Sequence, residues 1–223
     1  SRQKSFVFRT WGGKRKGAGR KRVGEKPRVK HRRRAEVDGR TPVHVTLTLL
    51  PEIGRLRRRD RYRAVRQSLA RTAHRADCRI VHYSVQGNHL HLVIEPDGKQ
   101  ALSRSMIAFK TSCARRLNGV VGRHGRVFAD RYHVRYLTSL AQVRAALCYV
   151  LNNWRRHGEQ TNGWRTDPFS SADFFDGWTG IEPRRPAWLE PGERAPVAEP
   201  RMWMVTTGWK RHGTIGPREV PGR

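Results

Sequence analysis

The chain has 223 residues, and its 47 Lys and Arg against 18 Asp and Glu leave a formal net charge of +29. Self-repulsion of that size calls for a polyanionic partner, with nucleic acid ahead of an anionic membrane surface. No run of about 18 apolar residues occurs, and Ser1–Thr10 lacks the apolar stretch of a signal peptide, so a membrane span and secretion are both disfavoured. The three cysteines, Cys78, Cys113 and Cys148, form no C-x-x-C pair. Reduced thiols in a cytoplasmic protein are therefore expected, and a zinc finger is not.

In chain order, residues 1–40 come first, with 16 Lys and Arg, three acids and little to bury. They read as a disordered basic arm. Its run Gly13–Arg22 either lies along phosphates or is a solvated tail, since charge alone reads no base. Val43, Val45, Leu47 and Leu49 then alternate with polar residues, as in a half-buried strand, until Pro51 and Gly54 end it. A helix is expected from about Arg59 to Arg75, with Tyr62, Val65 and Leu69 on one face. Two β-rich runs, Ile80–Gln86 and His89–Glu95, flank the turn Gly87-Asn88 and predict a hairpin. Leu102, Met106, Phe109, Cys113 and Leu117 recur at helical spacing, with a stop expected at Asn118-Gly119. Arg131–Leu137 alternates again. Ser139 and Gln142 form a capping box for a last helix running to Gly158.

The order β-α-β-β-α-β plus a helix predicts an α+β fold, the ferredoxin-like split βαβ antiparallel sheet with two helices on one face. Three regions follow: a basic arm at 1–40, a folded domain at 41–158, and a Trp-, Pro- and Gly-rich extension at 159–223 without sustained period. The tryptophans of that extension could stack on bases, although packing is their commoner fate. Because this fold serves RNA-binding modules and enzymes alike, function has to come from the site.

Alternate strand residues leave opposite faces of a sheet. One face collects Val43, Val45, Leu47, Val81, Tyr83, Val85, Leu90, Leu92, Ile94, Tyr132, Val134 and Tyr136. Helices are expected to cover it, leaving the other face for a ligand. That second face holds five of the ten histidines, His44, His82, His89, His91 and His133, together with Arg135. The pair His89-Leu90-His91 points two imidazoles the same way, where they either chelate one metal ion or stand as two polar surface residues. On the last helix Tyr149 and Asn153 lie one turn apart, beside the apolar stripe, on a line with Gln142 and Arg156. An ordinary amphipathic tyrosine at a buried margin would occupy the same position.

The string Gly87–Glu95, then Leu102–Met106 with Phe109-Lys110, Gly125–Phe128 to Arg131-Tyr132, and Tyr149–Asn153 resembles the single-tyrosine HUH transposases, in the branch of REP-associated tyrosine transposases and small insertion-sequence enzymes. The resemblance covers about residues 41–158. It implies that His89 and His91 bind a divalent metal, Mg²⁺ or Mn²⁺, with Asn153 as third ligand and Tyr149 as nucleophile. The chemistry suits those residue types, because a metal can stabilise charge on a phosphodiester and a phenol can carry the broken bond as a phosphotyrosine. Lys110, Arg131, Arg135 and Arg156 are candidates to hold DNA phosphates. The function implied is a metal-dependent single-strand DNA endonuclease and strand transferase acting on single-stranded or hairpin DNA. The alternative is a non-catalytic DNA- or RNA-binding regulator on the same sheet, although that sheet offers histidines where an RNA-binding module presents aromatics.

Overall fold

The computed structural model describes residues 38–160, 163–182, 186, 188–189 and 191–222, so all but the last three positions of the expected basic arm lie outside the described residues. The alternating runs become β1 (Val43–Thr48), β3 (Cys78–Val85), β4 (His89–Pro96) and β5 (His133–Tyr136), joined by a two-residue edge strand, β2 (His74–Arg75). They form one antiparallel sheet in the order β2-β3-β4-β1-β5. Setting β2 aside, this is the split βαβ arrangement. Central β1 pairs β4 on one side and β5 on the other, with Thr46 opposite both His91 and His133.

Two amphipathic helices, α1 (Arg59–Thr72) and α2 (Lys99–Val121), cover one face. There Leu69, Met106 and Phe109 bury Val45, Leu47, Tyr83, Val85, Leu90 and Leu92. Three expectations need correction. Val81 does not join this face, because a β-bulge between Ile80 and His82 shifts the parity. Ile80 takes the inner position, and Val81 packs with Val93 on the opposite side. The first helix ends at Thr72 rather than Arg75, whose backbone enters β2. Asn118-Gly119 does not stop α2, since Cys113 and Leu117 still bury fully and nothing crowds Gly119. A glycine there costs only about 1 kcal/mol of propensity. Termination comes at Gly122, whose φ of 63° gives the left-handed cap that returns its N–H to Asn118 O.

The second sheet face is not left wholly open. The helix α3 (Leu140–Arg156) starts where Ser139 Oγ accepts from Gln142 N, and it lays Val143, Leu147, Val150 and Leu151 over Val81 and Val93. The described part of the C-terminal segment, including the short helix α4 (Trp203–Thr206), completes this second core with Phe175, Trp178, Val205, Trp209 and Ile215. Packing therefore claims Trp178 and Trp209, while Trp164 and Trp203 remain 45% and 50% exposed. Buried ion pairs tie the segment down. Arg57 donates two 2.9 Å bonds to Asp167, and the Glu95 carboxylate accepts the backbone N–H groups of Arg201 and Met202 and the Arg79 guanidinium. All three cysteines are buried and free.

Trp209 is fully buried and stacks on Phe175 at 5.5 Å. Trp209→Ala is expected to destabilise the fold by about 3–5 kcal/mol, read from denaturant unfolding. A Cβ at Gly177 would come within 2.4 Å of the same indole. Gly177→Ala should therefore also lower stability, by about 1–3 kcal/mol of overpacking.

Candidate active site

Five ring-bearing side chains gather where α3 faces the strands β4 and β1. The Tyr149 ring stands edge-on to His91 at 5.1 Å between centroids and to His44 at 5.8 Å. His91 lies 4.8 Å from His89, and His89 lies 5.8 Å from His157 just past the end of α3. Strand alternation puts His89 and His91 on one face, the β1–β4 register brings His44 and Thr46 beside them, and the uninterrupted helix sets Tyr149 above. The remaining histidines of that face serve elsewhere. His82 is buried under Phe175 and bonded to Ser171 Oγ, while exposed His133 sits on the edge strand β5.

Hydrogen bonding leaves the two imidazoles of the His-x-His pair half used. Asn88 Oδ1 takes His89 Nδ1 at 2.9 Å. His91 Nδ1 meets His44 Nε2 at 3.1 Å and Thr46 Oγ1 at 3.2 Å, while its Nε2 is buried with no hydrogen-bond partner. Asn153, one turn after Tyr149, is fully buried and both its amide atoms lack partners. Leaving buried polar atoms unpartnered is costly, and these atoms have the bonding capacity a ligand would use. Among the described residues no group of three or more His, Cys, Asp and Glu could hold a metal ion. A metal here would need the two imidazole Nε2 atoms and a donor of another kind, such as the Asn153 amide oxygen. Those residues fit a divalent ion whose ligands are mixed N and O.

Electrostatics favour neutral imidazoles. Burial, then the neighbouring His44, His89 and His157, pushes the pKa of His91 well below its usual range. Burial, with Arg135 and His133, brings His44 from 6.5 down to about 4. Burial lowers His82 similarly, to about 4, and lowers His89 as well. Folding thus excludes protons that the unfolded chain would bind below about pH 6.5, so stability is complete above that pH and is lost as pH falls toward 4. Denaturant midpoints should accordingly drop between pH 7 and pH 5, and His82→Phe should flatten that drop.

A cavity of about 350 Å³ opens beside the tyrosine, lined by His44, Arg135, Arg144, Tyr149, Arg156 and Glu219 among others. Arg144 is neutralised by Glu219 through bonds of 2.8 and 3.0 Å. Arg156 holds its guanidinium 6.0 Å from the Tyr149 ring centre and donates to Gly222 O. Arg135 lies opposite His44 on β5. Of the expected DNA-contacting residues, Arg135 and Arg156 therefore reach the tyrosine cavity. Lys110 and Arg131 do not line it. Lys110 sits on α2, across the sheet, donating to Asp130 O, and Arg131 binds the Asp130 carboxylate through its backbone N–H. The sequence places His44 on the histidine face without distinguishing it from the others there, and carries no signal for His157. The contact of His44 with His91 depends on strand adjacency.

A family model described as "Transposase IS200 like" matches residues 43–153, from the first residue of β1 to the amide one turn beyond Tyr149. This segment belongs to the IS200-like transposase family. The transposase is thus an enzyme that acts on DNA. A REP-associated tyrosine transposase solved bound to a REP hairpin matches with a TM-score of 0.51 at 19% identity, over 64% of this chain and 82% of that one. That likeness is one of fold. A candidate transposase from Deinococcus radiodurans, at 15% identity over 60% of this chain and 98% of its own, gives a TM-score of 0.36. No curated protein sequence matches the chain. Among the described residues no helix is long and apolar enough to cross a membrane.

Proposed function

We propose that this transposase is a metal-dependent single-strand DNA endonuclease and strand transferase that works through a 5′-phosphotyrosine on Tyr149. The observation that carries the reading is the edge-on approach of Tyr149 to His91, whose Nε2 is buried and unpartnered, one turn before the unpartnered amide of Asn153. His89, His91 and Asn153 would hold the metal, Mg²⁺ or Mn²⁺. When bound, such an ion supplies Lewis-acid stabilisation of the phosphoryl oxygens. The chain's own residues do the rest. Tyr149 loses its phenolic proton to solvent and its oxygen bonds to the phosphorus, breaking the bond to the 3′ oxygen, which leaves as a hydroxyl. A second 3′-hydroxyl can reverse the exchange without an external energy source, because the phosphotyrosine keeps a phosphodiester linkage.

Arg135 and Arg156, on the walls of the cavity, would grip phosphates on either side of the scissile one. Lys110 and Arg131, grouped around Asp130, would meet DNA outside the reacting centre. A hairpin-bearing single strand is the proposed substrate, in keeping with the hairpin held by the REP-associated relative. Incubation with labelled hairpin single strands and Mn²⁺ should give a covalent protein–DNA adduct that survives denaturation, with the released strand ending in a 3′-hydroxyl. Tight binding with no adduct under any divalent metal would instead leave a non-catalytic DNA-binding regulator.

A further inference from the structure

His44 and Thr46 stand two residues apart on β1 and leave the same face of the sheet, beside β4. Both reach one atom, His91 Nδ1, at 3.1 and 3.2 Å. The other nitrogen of His91 is buried and has no partner. His89 shows the same division of labour with a simpler partner. The Asn88 carbonyl oxygen can only accept, so the proton of His89 lies on Nδ1 and its Nε2 is bare. For His91 the partner is an imidazole, which can accept or donate, and the direction of that bond decides whether Nε2 carries a proton or a free lone pair.

We infer that His44 is a positioning residue for the metal site: its Nε2 accepts the Nδ1 proton of His91, with Thr46 Oγ1 as a second partner, and so holds His91 in the tautomer that presents a bare Nε2. The inference rests on the reading of His89 and His91 as metal ligands. Outer partners of ligating histidines fix both tautomer and ring orientation, and losing one typically costs about 10–100-fold in metal affinity. His44 also touches Tyr149 edge-on at 5.8 Å. One side chain therefore orients a ligand and flanks the nucleophile, linking the strand half of the site to the helix half.

The test uses full-length protein with Mn²⁺ as the probe. His44→Phe keeps a ring against Tyr149 but removes the acceptor, and should weaken Mn²⁺ binding about 10–100-fold by calorimetry. His44→Asn retains an acceptor oxygen and should recover most of that loss. Thr46→Val should cost less alone and add to His44→Phe in the double variant. Nitrogen-15 NMR of the metal-free native protein gives an independent reading: His91 should carry its proton on Nδ1, and in His44→Phe the two tautomers should mix. Native His91 protonated on Nε2 would overturn the inference, as would unchanged Mn²⁺ affinity in His44→Phe while His89→Ala loses binding. Failure of the metal reading itself would show differently, as no Mn²⁺ binding by native protein, with the NMR result still deciding the direction of the His44–His91 bond.

Discussion

Tyr149→Phe is expected to abolish the covalent DNA adduct, lowering cleavage on the order of 10⁴–10⁶-fold, the range found when a nucleophile or its partner is removed from an enzyme site. Affinity for hairpin DNA should stay near native. The substitution deletes one oxygen and keeps the ring, so the edge-on contacts with His44 and His91 survive, as does the helix stripe beneath. The chain has five tyrosines, which makes the assignment unusually easy to check. Tyr62 and Tyr83 are buried in the core under α1 and α2, their hydroxyls bonded to each other at 3.0 Å. Tyr132 and Tyr136 pack against that same core, on the opposite side of the sheet from the histidines. Tyr149 alone stands against the imidazoles. An adduct that persists in Tyr149→Phe and disappears in Tyr132→Phe or Tyr136→Phe would move the nucleophile across the sheet and defeat the proposed mechanism.

Most of this architecture follows from period and punctuation. Alternation in β1 and in the first half of β4, and the 3.6-residue stripes of the three long helices, place the strands and helices within a few residues of where they lie. The misreadings have local causes. Parity fails in β3 because one extra residue enters at the bulge, and nothing in Ile80-Val81-His82 announces it. Gly119 looks like a helix stop, yet the burial of Leu117 outweighs its modest propensity cost. Beyond Gly158 the chain shows no period because it docks one aromatic at a time, Phe175, Trp178 and Trp209, and anchors its turns on buried carboxylates of distant residues such as Glu95. Within the site, His89, His91 and Tyr149 were legible as a local pair and a helical position. The link from His44 to His91 was not, since it spans 47 residues and exists only once β1 and β4 pair with Thr46 opposite His91.

Removing either imidazole of the pair should remove metal-dependent cleavage. His89→Ala is the cleaner substitution, because His89 is half-buried and its side chain hydrogen-bonds to the neighbouring Asn88. Mn²⁺ affinity should fall by at least about 100-fold, more than loss of an outer partner produces, with the unfolding midpoint little changed. His91→Ala should lose the metal equally but also cost stability of about 1–3 kcal/mol, since it leaves His44 Nε2 and Thr46 Oγ1 without their shared partner. Metal binding requires neutral imidazole, and His91 is held neutral far below the usual histidine range by burial and its histidine neighbours. Protons should therefore compete poorly with Mn²⁺ at this ligand, and affinity should persist as pH falls through 6.5 for as long as the fold does. Calorimetric titration of native and His89→Ala protein at pH 7.5 and pH 6 measures both effects. Equal Mn²⁺ affinity in the two proteins would return the pair to two polar residues on a sheet face, and the buried, unpartnered Nε2 of His91 would then have to be completed by something other than a metal.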